Sequence, residues 1–567
     1  MIRKNANFSL FLMLLISVTL CSQFIYTQPS IEWISRFNGS AGRFDIVTTM
    51  KLDNNSNAYV YGNANRTGSF SDIAAIKYSP AGAVIWEVFF NGYSSQLDEC
   101  KDAFLDGDGN SYITGFTSDT NQVVKIVTVK VNSEGNILWH RVFLPPANNQ
   151  GLGLRITSDN SGNIYTCGSV RRTNGTNSIA LIKYSAAGDL LGAVYFNKTA
   201  QSSETPFSIC TDNSGFVYIL ASSNAVGGVN DILMLKYSSS LALRWQHTFS
   251  GTAFGNDMPV KMIYTYDNKL AVTAAVYNSP GSLDYGIYRF DTSSALIMQY
   301  FYDGTGGDQD IPYDITCDSA NNVYVTGSSR NYDTLGSEDI YTMKIDPTAF
   351  LLWEKRYNGS GRGLDYGASI TVDRRGNVFV GGTTDKHDFH QQYALLKYSP
   401  VGALEWLEEY SVIEYSEDFV YTAIADNLGS VYVTGISFDS TTDYDFATIK
   451  YSEPIGIEPV SSEIPREFML YQNYPNPFNP TTKIVFQIPL LRGVSGLAGR
   501  LVTPRREGVL LSIFDVTGKE IAVLVSSELT PGTYKAEFDG SNYPSGVYFC
   551  KLETDGFSKS IKIMLLK

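Results

Sequence analysis

Residues 44–90 read FDIVTTMKLDNNSNAYVYGNANRTGSFSDIAAIKYSPAGAVIWEVFF, and this stretch predicts the fold. It contains four short runs of alternating, β-branched-rich sequence, separated by Gly, Asn, Asp and Pro. No helical period runs through it. Four antiparallel strands in about 53 residues are the size of one β-propeller blade.

A tryptophan recurs near the end of each such segment. The six tryptophans lie on one 53-residue grid, at Trp33, Trp86, Trp139, Trp245, Trp353 and Trp406. Gly192 and Met298 hold the two open positions, and the interval that ends at Trp353 is 55 residues long. A second grid marks the end of a Lys-Tyr strand, from Tyr78 to Tyr451. Both grids have eight positions, so the chain contains eight repeats.

The two ends of the repeat region are complementary. It begins on a tryptophan strand at Trp33 and ends on a Lys-Tyr strand at Tyr451. We expect the first strand to complete the last blade and so to join the ends of the ring. The fold class predicted for residues 31–452 is all-β, a β-propeller of eight four-stranded blades, with seven blades as the alternative.

The turn between the first two strands of a repeat has the pattern Asp-x-x-Gly-Asn or a close variant. Examples are DNSGNIYTCGS at 159–169, DSANNVYVTGSS at 318–329 and DRRGNVFVGGTT at 373–384. With the Lys-Tyr strand and the tryptophan that follow, these segments resemble the SBBP-type β-propeller repeat family. The resemblance covers residues 31–452. It implies a blade-like repeat that is common in exported bacterial proteins, and it implies no shared reaction.

The N-terminus predicts export. Arg3 and Lys4 precede an apolar run from Phe8 to Leu20, so residues 1–27 are predicted to be a signal peptide. The run is too short for a membrane-spanning helix. The net charge of -14 argues against nucleic acid and anionic membranes as partners. The cysteines are widely spread with no CxxC pair, which supports neither a zinc site nor a disulfide framework.

Carboxylates form a third grid, just before the first strand of each repeat. Its members are Asp45, Asp98, Glu204, Asp257, Asp310, Asp365 and Asp418, and Gly151 interrupts the series. A partial fourth grid opens the third strand, at Asp72, Asp231, Asp284, Asp339 and Asp445. In an up-and-down blade both sets belong at one mouth of the propeller. They are candidate ligands for Ca²⁺ or another hard cation. The favoured alternative is that each accepts backbone N–H bonds in its own blade.

Two histidines occur in one repeat only, in DKHDFH at residues 385–390. His387 and His390 are expected in a loop on the acid-rich face, beside Asp385 and Asp388. This composition suits a metal site or a proton-transfer pair. A polar loop without a function is the alternative. Neither a GxSxG motif nor a Cys/His arrangement is present, so no catalytic residue is predicted.

After Tyr451 the periodicity ends. Residues 453–466 are rich in Pro, Ser and Glu and predict a linker. Alternating strands over residues 467–567 predict a small Ig-like β-sandwich of about seven strands.

This tail carries specific motifs. The segment NYPNPFNP consists of Asn473, Tyr474, Pro475, Asn476, Pro477, Phe478, Asn479 and Pro480. Gly518 in DVTG, Gly532 in GTY, Gly546 in GVY and the final IKIMLLK complete the pattern. Together they closely resemble the C-terminal sorting domain of the type IX (Por) secretion system, although the stretch from about Leu490 to Glu507 departs from it. The resemblance implies contact with the type IX machinery at the outer membrane. It places the protein on the outer surface of a Gram-negative bacterium or in the medium.

These observations favour an exported, non-enzymatic propeller that binds a glycan or a surface protein through an acid- and tyrosine-rich face. It is expected to be a monomer without a cofactor, Ca²⁺ being the candidate ion. One alternative is a hydrolase or lyase that acts on an extracellular polymer with carboxylates at the propeller mouth. A purely structural spacer is another. The fold alone does not choose between them.

Overall fold

The computed structural model describes most of the chain. The described residues run from 29 to 567, except 93–95, 147–149, 225–227, 279–280, 305–307, 331–337, 362, 388–389, 414–415, 427–428, 453–457, 462–464, 490–506, 530, 542 and 555. The predicted signal peptide and the core of the divergent stretch lie outside them. Among the described residues no helix is long and apolar enough to cross a membrane.

Thirty-two strands form eight antiparallel sheets of four, named here blades one to eight. Blade one contains β2 (Ile46–Leu52), β3 (Ala58–Ala64), β4 (Asp72–Tyr78) and β5 (Val84–Phe90), and blade two contains β6 (Asp98–Leu105), β7 (Ser111–Ser118), β8 (Val124–Val131) and β9 (Ile137–Phe143). Blade three contains β10 (Gly151–Ser158), β11 (Ile164–Arg171), β12 (Asn177–Tyr184) and β13 (Leu190–Phe196). Blade four contains β14 (Ser203–Thr211), β15 (Val217–Asn224), β16 (Asn230–Tyr237) and β17 (Leu243–Phe249). Blade five contains β18 (Met258–Tyr264), β19 (Leu270–Tyr277), β20 (Leu283–Phe290) and β21 (Leu296–Tyr302), and blade six contains β22 (Asp310–Cys317), β23 (Val323–Arg330), β24 (Glu338–Ile345) and β25 (Leu351–Tyr357). Blade seven contains β26 (Tyr366–Val372), β27 (Val378–His387), β28 (His390–Tyr398) and β29 (Leu404–Tyr410). Blade eight contains β30 (Asp418–Ala425), β31 (Ser430–Asp439), β32 (Asp443–Ser452) and β1 (Ser30–Phe37).

The ring closes as the sequence predicts. β1 pairs antiparallel with β32, with Trp33 opposite Lys450 and Phe37 opposite Phe446. The N-terminal strand is therefore the outermost strand of blade eight. The prediction of an eight-bladed propeller is confirmed, and the seven-bladed alternative is wrong.

The core lies between neighbouring blades. In blade one every residue of β3 and β4 is buried, whereas the outermost strand β5 is partly exposed. Apolar clusters join one blade to the next; one cluster brings Tyr59 and Tyr61 of blade one against Ile113 and Val127 of blade two. Because both faces of a middle strand are covered, these strands are mostly apolar on both faces, with the buried Asp72 and Lys77 near the two ends of β4 among the polar exceptions.

The tryptophan grid has a packing cause. Trp33 Nε1 donates to the carbonyl of Pro80, 47 residues later in the next blade, at 3.0 Å. Lys450 Nζ, on the neighbouring strand of the same blade, donates to the same carbonyl at 3.1 Å. Trp353 repeats the bond to Pro400 at 3.1 Å. The tryptophan and the lysine of one blade thus fasten the turn of the next, with each bond contributing about 1 kcal/mol.

The C-terminal strands form two facing antiparallel sheets around one apolar core. The first sheet has the order β33 (Glu458–Ser461), β38 (Gly532–Asp539), β35 (Thr481–Ile488), β34 (Met469–Leu470). The second has the order β37 (Glu520–Leu529), β36 (Glu507–Phe514), β39 (Gly546–Thr554), β40 (Phe557–Leu565). The prediction of an Ig-like sandwich is confirmed, with eight strands rather than about seven.

One strand lies where the sequence predicts only a linker. Residues 458–461 form β33 and pair with β38, with Glu458 opposite Lys535. β33 is the edge strand of its sheet. Proline has no backbone N–H to donate, and an edge strand tolerates Pro459 because it has a neighbouring strand on one side only. The assignment of all of residues 453–466 to a linker is therefore wrong in this part.

Candidate functional site

The carboxylates that precede the first strands are buried hydrogen-bond acceptors. Asp365 Oδ2 accepts the N–H of Gly359 at 2.5 Å, and its Oδ1 accepts the N–H of Asp385 at 2.6 Å. Asp257 repeats this with Gly251 at 2.9 Å and Tyr277 at 2.8 Å. All seven acids of the series are at most 2% exposed. Their geometry matches the interpretation in which each acid caps loops of its own blade.

Burial raises the pKa of these carboxyl groups. The pKa of Asp365 is raised to about 7, and those of Asp45 and Asp98 to about 6, because burial disfavours the charged form. Hydrogen bonds to the carboxylates act in the opposite direction. The same cause raises the pKa of Asp257, Asp310 and Asp418. These acids belong to the interior rather than to an exposed binding face.

The third-strand acids lie close to the first-strand acids of the following blade. The charge of Asp72 contributes to the raised pKa of Asp98, and that of Asp339 to the raised pKa of Asp365. Arg356 Nη1 contacts Asp339 Oδ2 at 3.0 Å. The two acid grids therefore meet at blade junctions, where cations offset part of their charge.

One junction brings three carboxylates together. Asp284, Asp303 and Asp310 each have an oxygen within 4.8 Å of the others, and Asp303 is exposed while the other two are buried. Within the described ranges this is the single group of three potential metal ligands. Acid clusters also occur without an ion, so the calcium hypothesis remains a prediction.

The two histidines of blade seven lie at the tip of one hairpin. His387 ends β27 and His390 begins β28, and the two residues are paired in the register. The side chain of His387 and the whole of Asp388 lie outside the described residues. Asp385 is buried, and its carboxylate accepts the N–H of Gly363. The metal or proton-transfer role of the histidines remains a prediction.

The central channel is lined by the innermost strands of the blades, and each of these strands is interrupted by a β-bulge. Each innermost strand has a β-bulge at the same position, between Val47 and Thr49 in β2 and between Val420 and Thr422 in β30. A bulge places an extra residue on one strand and re-aims its side chain. The extra residues are Thr48, Lys101, Leu154, Phe207, Val260, Tyr313, Ala368 and Tyr421. All of them except Leu154 line the channel.

The residue after each bulge also lines the channel. These residues are Thr49, Asp102, Arg155, Ser208, Lys261, Asp314, Ser369 and Thr422. Several of them join neighbouring blades: Asp102 accepts the N–H of Ile156 at 3.1 Å, and Asp314 accepts that of Ile370 at 2.9 Å. The positions repeat with the blades, whereas the chemistry of the side chains does not. This contrast distinguishes the channel from the acid ring.

The channel has a cavity of about 660 Å³ with a local excess of positive charge. Its charged lining residues are Lys51, Lys101, Arg155, Lys261, Asp102 and Asp314. Four cations against two carboxylates contrast with the net charge of -14 for the chain. Lys261 pairs with Asp314 at 2.6 Å, and Lys101 pairs with Glu99 at 2.7 Å. The two remaining cations, Lys51 and Arg155, lie on blades one and three.

The channel tyrosines lie on blades six and eight, and blade eight adjoins blade one where the ring closes. Tyr313 and Tyr421, at the bulges of blades six and eight, are each 41% exposed. Tyr366 of blade seven lies between them, with its ring centroid 5.5 Å from that of Tyr313. Blades one to three therefore present the unpaired cations, and blades six and eight present the tyrosines.

Sequence reasoning missed the channel residues. A signal for them exists in the repeat itself, because positions 48, 101, 154, 207, 260, 313, 368 and 421 keep the grid spacing while their side chains differ. A position that packing controls is expected to keep its residue type. The regular features of the repeat therefore do not reveal the positions that vary.

The sorting motif in the tail is held by two buried residues. Asn473 Nδ2 donates to the carbonyl of Pro475 at 3.0 Å, and the buried Phe478 donates its N–H to the carbonyl of Met564 at 2.9 Å. Tyr474 between them is 82% exposed. The motif thus lies along the last strand, β40, with Tyr474 facing solvent.

The other residues of the sorting motif lie on the surface, in turns or at the first position of a strand. Asn476 Oδ1 accepts the N–H of Met564 at 3.0 Å. Pro475, Asn476, Pro477 and Asn479 are exposed, and Pro480 is half-buried. Gly518 has φ +82° in a turn, which favours glycine, while Gly532 begins β38 and Gly546 begins β39.

Known families match both parts of the chain. Residues 472–566 match the secretion system C-terminal sorting domain, and residues 302–333 and 355–390 match the β-propeller repeat called SBBP. The chain thus combines an eight-bladed β-propeller, part of which matches this repeat, with a tail that matches the sorting domain. The sorting domain directs this repeat protein to export, with attachment to the outer cell surface or release. It also implies an interaction with the type IX secretion machinery.

Solved structures with a similar arrangement share little sequence with this repeat protein. The WD40 domain of SCAP from fission yeast has 10% identity and a TM-score of 0.41, covering 75% of this chain and 97% of that one. The β-propeller domain of the trilobed protease from Pyrococcus furiosus has 10% identity and a TM-score of 0.31, covering 58% and 90%. A fungal alcohol oxidase of the AA5 family, in complex with copper, has 11% identity and a TM-score of 0.38, covering 96% and 100%. At these scores none of them carries an argument about function. No curated protein matches the chain.

Proposed function

We propose that this exported propeller is a non-enzymatic binding protein whose ligand, a glycan or a surface protein, contacts the central channel. The observation that carries the proposal is the bulge in every innermost strand, because it supplies channel positions whose side chains differ from blade to blade. A site that recognises one ligand needs such unlike groups at defined places. An evenly repeated ring would suit a spacer.

The channel is also better placed for binding than the acid ring. The ring acids are at most 2% exposed and accept backbone N–H bonds, so they present little surface to a partner. The channel instead exposes tyrosines and cations around a cavity of about 660 Å³. This volume lies in the usual range of small-ligand sites, about 300–1,000 Å³.

The hydrolase or lyase alternative has weaker support. Its natural acid pair would be the two channel carboxylates, Asp102 and Asp314. Each of them accepts backbone N–H bonds, and Asp314 also pairs with Lys261 at 2.6 Å. These contacts suit a structural role for both carboxylates, so we retain binding as the proposed function.

A glycan array probed with the purified protein lacking residues 1–27 tests this proposal. We expect binding to a restricted set of glycans, and we expect Tyr313→Ala with Tyr421→Ala to remove it. Tyr266→Ala is the matched control, because this tyrosine is 70% exposed and lies in a turn away from the bulges. Binding that survives the channel substitutions, or release of shortened products from the glycans, would contradict the proposal.

A further inference from the structure

We infer that the channel ligand is an anionic saccharide, with its acidic group bound by Lys51 and Arg155 and a sugar ring stacked on the tyrosines of blades six and eight. The inference rests on the proposed binding function and adds the chemical class of the ligand. It uses two independent observations, which are the unpaired cations and the exposed aromatic faces.

The first observation is the state of the cations. Lys101 and Lys261 have carboxylate partners, at 2.7 and 2.6 Å. The side-chain ammonium of Lys51 makes no hydrogen bond or ion pair with any residue that the structure describes, although its backbone pairs with Tyr59 in the sheet. Arg155 donates from Nε to the carbonyl of Phe207 and from Nη1 to that of Leu154, at 2.5 and 2.7 Å. Those bonds fix the guanidinium, and among the described residues Nη2 has no hydrogen-bond partner; the planar group suits carboxylate or sulfate oxygens.

An anionic ligand would offset the burial of the Lys51 ammonium. Burial lowers the pKa of Lys51; the charge of Asp102 raises it, the like charge of Lys261 lowers it, and the charge of Asp314 raises it. A bound anion would offset both the burial and the repulsion by Lys261. The walls of a cleft also concentrate the field of its charges, which raises the local concentration of an oppositely charged ligand.

The second observation is the tyrosine side of the channel. Tyr313 and Tyr421 line the channel and are each 41% exposed, and the ring of Tyr366 packs 5.5 Å from that of Tyr313 without lining the channel itself. A tyrosine ring offers an apolar face to the C–H groups of a sugar and a hydroxyl to its oxygens. A free inorganic anion would leave this side unused, so the two sides together indicate an acidic sugar.

Isothermal titration calorimetry on the chain lacking residues 1–27 provides the test. The probes are trigalacturonate, which carries carboxylates, galactose 6-sulfate, which carries a sulfate, and galactotriose, which is neutral. We expect at least one acidic probe to bind, at least tenfold more tightly than galactotriose. Lys51→Met should weaken that binding at least tenfold, as the loss of a charged hydrogen bond predicts. Lys483→Met removes the same charge from an exposed site in the sorting domain, and it should leave binding unchanged.

Each other result overturns the inference. If galactotriose alone binds, the ligand is a neutral glycan, and the proposed binding function stands without the anionic class. If an acidic probe binds equally to the native protein and to Lys51→Met, the anion lies elsewhere. If no probe binds, the anionic class fails, and a negative glycan array would show that glycan binding fails with it. Tryptophan fluorescence of Lys51→Met, matched to the native spectrum, checks that the variant is folded.

Discussion

Asp365→Asn tests the physical account of the buried carboxylates. Asp365 is 2% exposed, it accepts N–H bonds of 2.5 and 2.6 Å, and burial raises its pKa from 3.8 to about 7. Because the folded-state pKa is the higher one, the folded protein keeps a proton that the unfolded chain has released between those pH values. The stability from this group is complete below about pH 4 and is lost as the pH rises through 7.

The magnitude follows from the same shift. Between pH 5 and pH 8, linkage gives a loss of about 2–3 kcal/mol from Asp365 alone, at 1.36 kcal/mol per pKa unit. Asparagine does not titrate and offers one acceptor oxygen, so one N–H donor loses its partner, at a cost of about 1–3 kcal/mol. We expect Asp365→Asn to be destabilising at both pH values. Its cost should be about 2–3 kcal/mol larger at pH 5 than at pH 8.

Urea unfolding followed by tryptophan fluorescence measures this difference. All six tryptophans lie between residues 33 and 406, so the signal reports the propeller and not the tail. Asp108→Asn, at an exposed turn position, is the matched control and should change stability by less than about 0.5 kcal/mol at either pH. Equal costs for Asp365→Asn at pH 5 and pH 8 would refute the raised pKa. No cost at either pH would refute the capping role as well.

Three further predictions concern other parts of the chain. Trp353→Phe removes the 3.1 Å bond to Pro400 and should cost about 1–3 kcal/mol in urea unfolding; Met298→Leu, at the grid position without this bond, should cost less than about 1.5 kcal/mol. Deletion of residues 467–567 should leave the protein in the periplasm, as cell fractionation would reveal, and export without them would disprove the sorting role. Millimolar calcium should leave Tm unchanged, because the ring acids already accept backbone bonds; a rise in Tm that Asp303→Asn abolishes would instead support a metal site.

The repeat made much of the fold predictable. Trp33 and Tyr451 identify which strands begin and end the ring, and β1 completes blade eight as expected. The acid series was also interpretable, because a carboxylate before every first strand has a cause within the blade, and Asp365 and Asp257 show the backbone bonds of that cause. β33 was missed because an edge strand tolerates proline, so its composition is that of a linker.

By itself the sequence determined the blade, the number of blades, the closure of the ring and the sorting tail, because each depends on spacing or on a local motif. Only the tertiary structure decided what faces the channel. Period-two alternation assigns residues to the two faces of a strand, and a bulge breaks that alternation through a shift in pairing with the neighbouring strand. Lys51 of blade one and Tyr313 and Tyr421 of blades six and eight line one channel because blades far apart in the chain surround the same axis.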